Sequence, residues 1–443
     1  MKKLFILLAL ACSCSPAVQR LSDSMAGVRD YVPRYAVMAH RGSTYWAPEE
    51  TESAWRWARE MGADYLESDL QCTKDGVILA NHDVNLTRTS DIAAVFGEGL
   101  PRSREVFYKS LGFSESDAKE QCARDLETFQ PYQASSYYYA ELLTLDAGSW
   151  FNAARPGQAR PAFAGSQYVS ALQDQIAYAE GKRLRRDARG RRVLPFKLKE
   201  SCAGKTLGQL SACAKEGGKY MEIIDYDFSS AYEPDPADTG NRPGIYIEFK
   251  EPEVNPEDIE QRVFDILDAA GWNIITKPAT ETAFLKDGKV TVGLTSGKVI
   301  LQTFSRESLC RANAIFKARV PMCFLLWRSD WNGELDKPGS YADILKWAQD
   351  NGAHIIGPSI SGAPNDYEEL DAQWQADLVH KAGMLNHPYS FDTVEQMEEH
   401  ARRSDGYFTN RSELTINYLI QHGMRNSEIE VPDAEATLNR LGY

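Results

Sequence analysis

Three features are scarce in this chain of 443 residues. Basic charge is the first: 49 lysines and arginines stand against 63 aspartates and glutamates, a formal net charge of -14. That balance excludes broad binding to a nucleic-acid backbone and suits a soluble enzyme. The second is a membrane-length apolar run, since Leu4 to Ala11 is too short to span a bilayer. The third is zinc-site cysteine spacing, which no pair among the eight cysteines shows. What is present points to a sizeable core: 43% of residues are hydrophobic and 11% aromatic, so the chain is expected to fold.

The opening "MKKLFILLALACSCSP" joins two lysines to a short apolar run and small residues, the pattern of an export signal. A cysteine directly after small residues resembles a bacterial lipoprotein cleavage site, with lipid on Cys12 or Cys14. Residues 1–14 then form the leader and 15–33 a polar tether, and the protein is exported, periplasmic or anchored in the outer membrane. Six cysteines follow the leader: Cys72, Cys122, Cys202, Cys213, Cys310 and Cys323. Export permits disulfides, and the local pair Cys202 and Cys213 is the one worth suggesting. Cys310 and Cys323 read as packed thiols.

Short apolar runs alternate with helical-period segments, the signature of βα units around a parallel sheet. Eight such runs occupy residues 36–40, 64–70, 244–249, 299–304, 322–327, 354–358, 383–389 and 406–410. Together they predict a (β/α)8 barrel over 34–425, followed by a C-terminal tail at 426–443. Residues 84 to 243 are too many for one connection. Residues 169–181 supply the second barrel helix, leaving insertions at about 84–168 and 182–243. The second carries "KRLRRDARGRR", seven basic residues in eleven, which reads as a solvated loop because like charges repel and apolar periodicity is missing.

Catalytic residues of such a barrel project from the C-terminal ends of its strands. The first run ends in His40-Arg41, the second holds Glu67 and Asp69, and the third holds Glu248 and Lys250. Residues two apart share a strand face, so three carboxylates converge on the mouth. Converging buried carboxylates must protonate, pair with bases or bind a divalent cation. Oxygen-only ligands favour magnesium, calcium or manganese over zinc. An ion-pair network with Arg41 and Lys250 would serve as well, and the histidines tip the balance. His40 and His82, the latter beyond a Lys-Asp-Gly turn, would flank a phosphodiester whose charge Arg41 and the cation neutralise.

The segments "AHRGSTYWAPEET", "GADYLESDLQCTKDGVILANHDVNLTRT" and "IYIEFKEP" resemble the signature blocks of the glycerophosphodiester phosphodiesterase family. "LLTLDAGSWFN" and "NHPYSF" resemble its exported bacterial type. The resemblance implies a (β/α)8 barrel that hydrolyses small glycerophosphodiesters to an alcohol and glycerol 3-phosphate. It implies His40 and His82 as the acid/base pair, without saying which is which, and Glu67, Asp69 and Glu248 as ligands of Ca2+ or Mg2+. Arg41 and Lys250 are implied as phosphate contacts, and Glu49 as a carboxylate at the mouth. Two departures stand out: Glu50 occupies a position where asparagine is common, and Thr409-Asn410 replaces the frequent Thr-Asp. The former is expected to alter loop packing more than chemistry.

Gln302, Phe304, Trp327 and His387 end later strands and are expected to line the mouth as substrate contacts. Two alternatives keep part of this reading. One is a phospholipase D-like enzyme on larger lipids, for which the three tyrosines of "SSYYYAELL" would supply an apolar rim. The other is a surface binding protein without catalysis, which has no need of both histidines and all three carboxylates.

Overall fold

The computed structural model describes residues 16–217, 220–426 and 430–443; the leader at 1–14, with Cys12 and Cys14, lies outside the described residues. Eight strands build the centre: β1 (Ala36–Ala39), β2 (Tyr65–Cys72), β3 (Gly244–Phe249), β4 (Val299–Thr303), β5 (Met322–Leu325), β6 (Ile355–Gly357), β7 (Leu385–Asn386) and β8 (Gly406–Thr409). They pair in the order β7-β6-β5-β4-β3-β2-β1-β8, every neighbour parallel. The remaining seam is closed by Asp405 N–H donating to Asn386 O at 2.8 Å and Phe408 N–H to Pro388 O at 3.3 Å. Helices follow the strands, so the predicted (β/α)8 barrel is the observed one. No described helix is long and apolar enough to cross a membrane.

The period of two along each strand organises the interior. Ala36, Met38, Tyr65, Tyr246, Ile300, Cys323 and Phe408 meet in one cluster inside the barrel. Ala39, Leu66, Leu70, Ile245, Ile247 and Leu301 belong instead to the layer shared with Trp55, Ile176 and Val263 of the surrounding helices. Continuing the inward parity toward the C-terminal end reaches His40, Glu67, Asp69, Glu248, Gln302 and Asn410. Register aligns them: Glu67 lies beside Tyr246, Asp69 beside Glu248, and Glu248 beside Gln302. Each strand thus contributes apolar packing below and polar chemistry above.

The segment read as a tether is structured. Residues Asp23–Arg29 form a helix capped by the Ser22 side chain. Val28 and Val32 are buried, and Val32 packs inside the barrel beside Tyr65 and Met38. Leu21 N–H donates to Ala382 O, and Arg29 to Gly383 O, both just before β7, so this helix covers the N-terminal face. Its few apolar residues give too weak a periodicity to stand out in the sequence. The segment read as a C-terminal tail also docks: helix Ala434–Leu441 buries Leu438 and Leu441, and Trp57 Nε1 donates to Ala434 O at 3.0 Å.

The first insertion packs Tyr108, Tyr137, Tyr138 and Tyr139 out of solvent, so the tyrosine triplet builds an interior and not an exposed apolar rim. Both insertions clasp the turn after β2: Lys74 N–H donates to Tyr137 O, Met221 N–H to Lys74 O, and the Asp75 carboxylate accepts from Tyr139 N–H and Tyr226 Oη. The basic run departs from a solvated loop. Arg192 is buried against Asp174, Arg186 bonds Glu52, and Arg183 bonds Glu233. All six described cysteines are free thiols, so Cys202 and Cys213 form no bridge. Cys202 is buried in the apolar interior of the insertions while Cys213 is exposed. Cys310 is exposed too, because its helix faces the barrel through Leu309, Ala312 and Phe316; Cys323 is packed as expected.

Asp235 ties the second insertion to the first barrel helix, Glu52–Met61, through Arg56 at 2.7 and 2.8 Å and Arg59 at 2.6 Å. Burial alone would raise its carboxyl, but the bonds from the two guanidiniums outweigh this and hold it down to about 2. Replacement Asp235→Ala takes the carboxylate from buried Arg56 and leaves Arg59 only Glu60 and Asp238, and it is expected to cost about 3 kcal/mol, read as a lower urea midpoint. Because the folded value is depressed, the stabilisation is present above an unfolded carboxylate value of about 3.9 and fades as pH falls toward 2. A variant whose midpoint tracks the parent at pH 7 would refute this role.

Candidate active site

Strand β1 ends in a tight turn, His40–Gly42, with Arg41 in the left-handed region at φ 49° and Gly42 at φ 87°. A Cβ on Gly42 would stand 2.6 Å from that of Ala54, so only glycine lets the turn sit on the first helix. The turn aims Arg41 N–H at Glu67 Oε2, 2.7 Å away, and brings Arg41 Nε within 3.0 Å of Asp69 Oδ2. The latter contact is an ion pair without hydrogen-bond alignment. Lys250 Nζ lies 3.3 Å from Glu248 Oε1 and 3.8 Å from Asp69 Oδ1, and Gln302 Nε2 donates to Glu67 Oε1 at 2.9 Å. These groups, with His40 and His82, line one cavity of about 660 Å3 at the mouth.

The three carboxylates Glu67, Asp69 and Glu248 are each at most 5% exposed, and one oxygen of each lies within 4.8 Å of the others. Burial pushes Glu67 well up and Glu248 up to about 8, with Lys250 opposing the shift and Asp69 adding to it. Burial would raise Asp69 too, yet Lys250 and Arg41 hold it well below its usual range. The three carboxyls thus outnumber the local cations Arg41 and Lys250, and the upward shifts of Glu67 and Glu248 are the cost of ionising all of them together. Asp69 Oδ2 and Gln302 Oε1 are buried without hydrogen-bond partners, the condition of groups awaiting a cation. An all-oxygen donor set of this size fits a hard divalent ion.

The histidines differ in their surroundings. His40 Nδ1 meets Asn410 Oδ1 at 2.9 Å, and burial lowers its value to about 3, with Arg41 adding to the effect. His82 follows the hairpin of β2 with Ile78–Ala80, and its Nδ1 meets Asp83 Oδ1 at 2.5 Å. Asp83 accepts from Arg88, which also forks onto Glu49 at 2.7 and 2.8 Å, and Glu49 reaches Arg41 at 3.5 Å. A chain of alternating charge thus runs from one side of the mouth to the other.

Not every expected contact reaches the cavity. Glu49 is 7% exposed and consumed by Arg41 and Arg88, so it organises Arg41 from behind and does not face a substrate. His387 lies inside the barrel below the mouth, its ring against Gly406, where an added Cβ would come within 2.7 Å of it. The glycine leaves a hole that the imidazole fills, and burial lowers His387 to about 4. Phe304, Trp327, Gln302, Arg41 and Lys250 do line the cavity. Tyr389 joins them from the end of the run 383–389, and Tyr367 and Asp330 from connections whose approach no periodicity announces. Glu50 is closer to the chemistry than a loop-packing residue: at φ 54° it turns back so that Oε1 accepts Asp69 N–H at 2.7 Å. Its left-handed backbone is the signal, since asparagine is favoured there.

Comparison with known proteins agrees with this geometry. The model of the glycerophosphoryl diester phosphodiesterase family matches residues 40–185. A glycerophosphodiester phosphodiesterase of Bacillus subtilis (strain 168) is 31% identical over 385 residues, covering 86% of this chain and 85% of the relative. A second, from Caldanaerobacter subterraneus subsp. tengcongensis, is 44% identical over 64 residues, 14% of this chain and 24% of its own. A solved structure from Silicibacter pomeroyi DSS-3 superposes with a TM-score of 0.51 at 15% identity, over 90% of this chain and 98% of that one, a likeness of fold. On the long match to the Bacillus relative, over a barrel whose mouth gathers these groups, the chain belongs to the glycerophosphodiester phosphodiesterase family and is a phosphoric diester hydrolase.

Proposed function

We propose that the chain hydrolyses small glycerophosphodiesters to an alcohol and glycerol 3-phosphate at this mouth, with Ca2+ or Mg2+ held by Glu67, Asp69 and Glu248. The observation that carries the reading is the convergence of these carboxylates with His40, His82, Arg41 and Lys250 on one cavity. When bound, the cation supplies positive charge to the phosphate oxygens and lowers the cost of crowding the carboxylates. Arg41 and Lys250 face the same space and bind the remaining phosphate oxygens. His40 and His82 transfer protons at the attacking and leaving oxygens. Gln302 orients Glu67, and Phe304, Trp327 and Tyr389 wall the organic part of the substrate.

Burial of the Tyr137–Tyr139 triplet favours this small-substrate reading over a lipid-binding rim. The full set of proton-moving and charge-balancing groups favours it over a binding protein. We further propose that the protein is exported and held to a membrane by a lipid on Cys12 or Cys14, as the export-like leader suggests.

Release of glycerol 3-phosphate from glycerophosphocholine by the chain from residue 16 onward is expected to stop on chelation and return with Ca2+ or Mg2+. A folded protein inactive with every cation would defeat the proposal. Substitutions His40→Ala and His82→Ala are expected to lower kcat by about 10²- to 10⁴-fold while leaving cation affinity intact. Glu67→Ala and Asp69→Ala should weaken cation binding itself. Calorimetric titration separates the two classes, and equal loss of cation affinity in the histidine variants would sink the division of labour.

A further inference from the structure

Asn410 stands just past the end of β8, beside His40 at the end of its paired neighbour β1. Its amide is held from both sides. Asn410 Nδ2 donates to Asp392 Oδ2 at 3.0 Å, and Asn410 N–H donates to Asp392 Oδ1 at 2.8 Å. Asn365 Nδ2 also donates to Asp392 Oδ2, at 2.9 Å, which fixes the carboxylate in turn. A carboxylate only accepts, so the amide nitrogen of Asn410 must face Asp392 and its oxygen must face the other way. That oxygen accepts from Thr44 Oγ1 at 2.8 Å and meets His40 Nδ1 at 2.9 Å. An amide oxygen cannot donate, so the proton of neutral His40 is on Nδ1 and the lone pair on Nε2.

We propose that Asn410, oriented by Asp392, is a positioning residue that fixes this tautomer and so makes His40 the proton acceptor of the reaction. The inference rests on the hydrolytic reading above, in which both histidines move protons. A neutral amide faces His40, whereas the Asp83 carboxylate faces His82 at 2.5 Å, and that contrast divides the roles. In the step, His40 Nε2 takes the proton of the attacking hydroxyl as its oxygen bonds to phosphorus. The bond from phosphorus to the alcohol oxygen breaks, and imidazolium His82 gives that oxygen a proton. His40 leaves the step charged and His82 neutral, and exchange with solvent restores both. Around His40 the charged and titratable groups are Arg41 on its own turn, Asp69 from β2 and His82 from the hairpin, with Asn410 from β8 the uncharged neighbour.

The test begins with the unaltered chain, labelled with 15N-histidine. His40 is expected to show a protonated Nδ1 and a bare Nε2 in the long-range 1H–15N spectrum at neutral pH. The substitution Asn410→Leu is expected to lower kcat on glycerophosphocholine by about 100-fold, with KM and Ca2+ affinity within about twofold. The exchange Asn410→Asp with Asp392→Asn keeps the bond between these two side chains, loses the Asn365 donation, and moves the carboxylate next to His40. It is expected to recover kcat to within about fivefold and to move the acid limb of the kcat/KM profile to higher pH. A proton on Nε2 of His40, an Asn410→Leu enzyme with undiminished kcat, or an unmoved acid limb in the double exchange would each overturn the proposal. A parent chain that turns over no glycerophosphodiester refutes the hydrolytic reading and the acceptor role with it. The tautomer spectrum, which needs no turnover, tells that failure apart from a wrong tautomer.

Discussion

The structure is organised around a cluster of carboxyl groups that outnumber the cations beside them and are shut away from water. Glu67, Asp69 and Glu248 occupy adjacent inward positions of β2 and β3, and Glu50 brings a fourth carboxylate to the backbone of Asp69. Moving such groups into a low dielectric costs several kcal/mol each unless opposite charge or hydrogen bonds compensate. Everything near the mouth answers that cost. Arg41 is bent into a left-handed turn to reach Asp69, Lys250 is placed between Asp69 and Glu248, and Gln302 donates from the next strand. What these groups leave uncompensated is what a cation and a phosphate ester together would complete.

The insertions serve the same end at a distance. His82 is not on a barrel strand, and its place over the cavity depends on the short hairpin after β2. Asp75 at the hairpin turn is bonded by Tyr139 and Tyr226, one from each insertion, so the added chain braces the arm that carries a site residue. Arg88, at the start of the first insertion, links Asp83 to Glu49 and hence His82 to Arg41. Catalytic groups from distant parts of the sequence are thereby joined by one chain of ion pairs, buried at Glu49 and open to solvent at Arg88.

Much of this arrangement is legible in the sequence. Period-two parity in β1 to β4 places His40, Glu67, Asp69, Glu248 and Gln302 on the inner face, and local pattern suffices to find them. Parity does not report depth. His387 shares the inward direction yet ends below the mouth, because Gly406 on the neighbouring strand leaves room for its ring, a cross-strand fact that no single run encodes. Glu49 matched a family carboxylate but spends its oxygens on Arg88, 39 positions away. Tyr367 arrives on a loop, and what Asn410 does depends on Asp392 behind it, 18 positions away in the chain. The docked segments at both ends were missed because they carry two or three buried apolar residues each, enough to seal a surface already built and too few to show a period.

The helix Asp23–Arg29 closes the barrel at the end opposite the mouth. Under the proposed lipid anchor, a chain gripped by its first residues would hang with the cavity turned outward. Molecules would then reach it from the surrounding fluid, and a lipid still seated in the supporting bilayer would have to come around the full height of the barrel to do so. Such an orientation would select for diesters that have already lost their acyl chains and diffuse freely, and would let the proposed phosphorylated product leave into the same fluid without crossing the surface beneath.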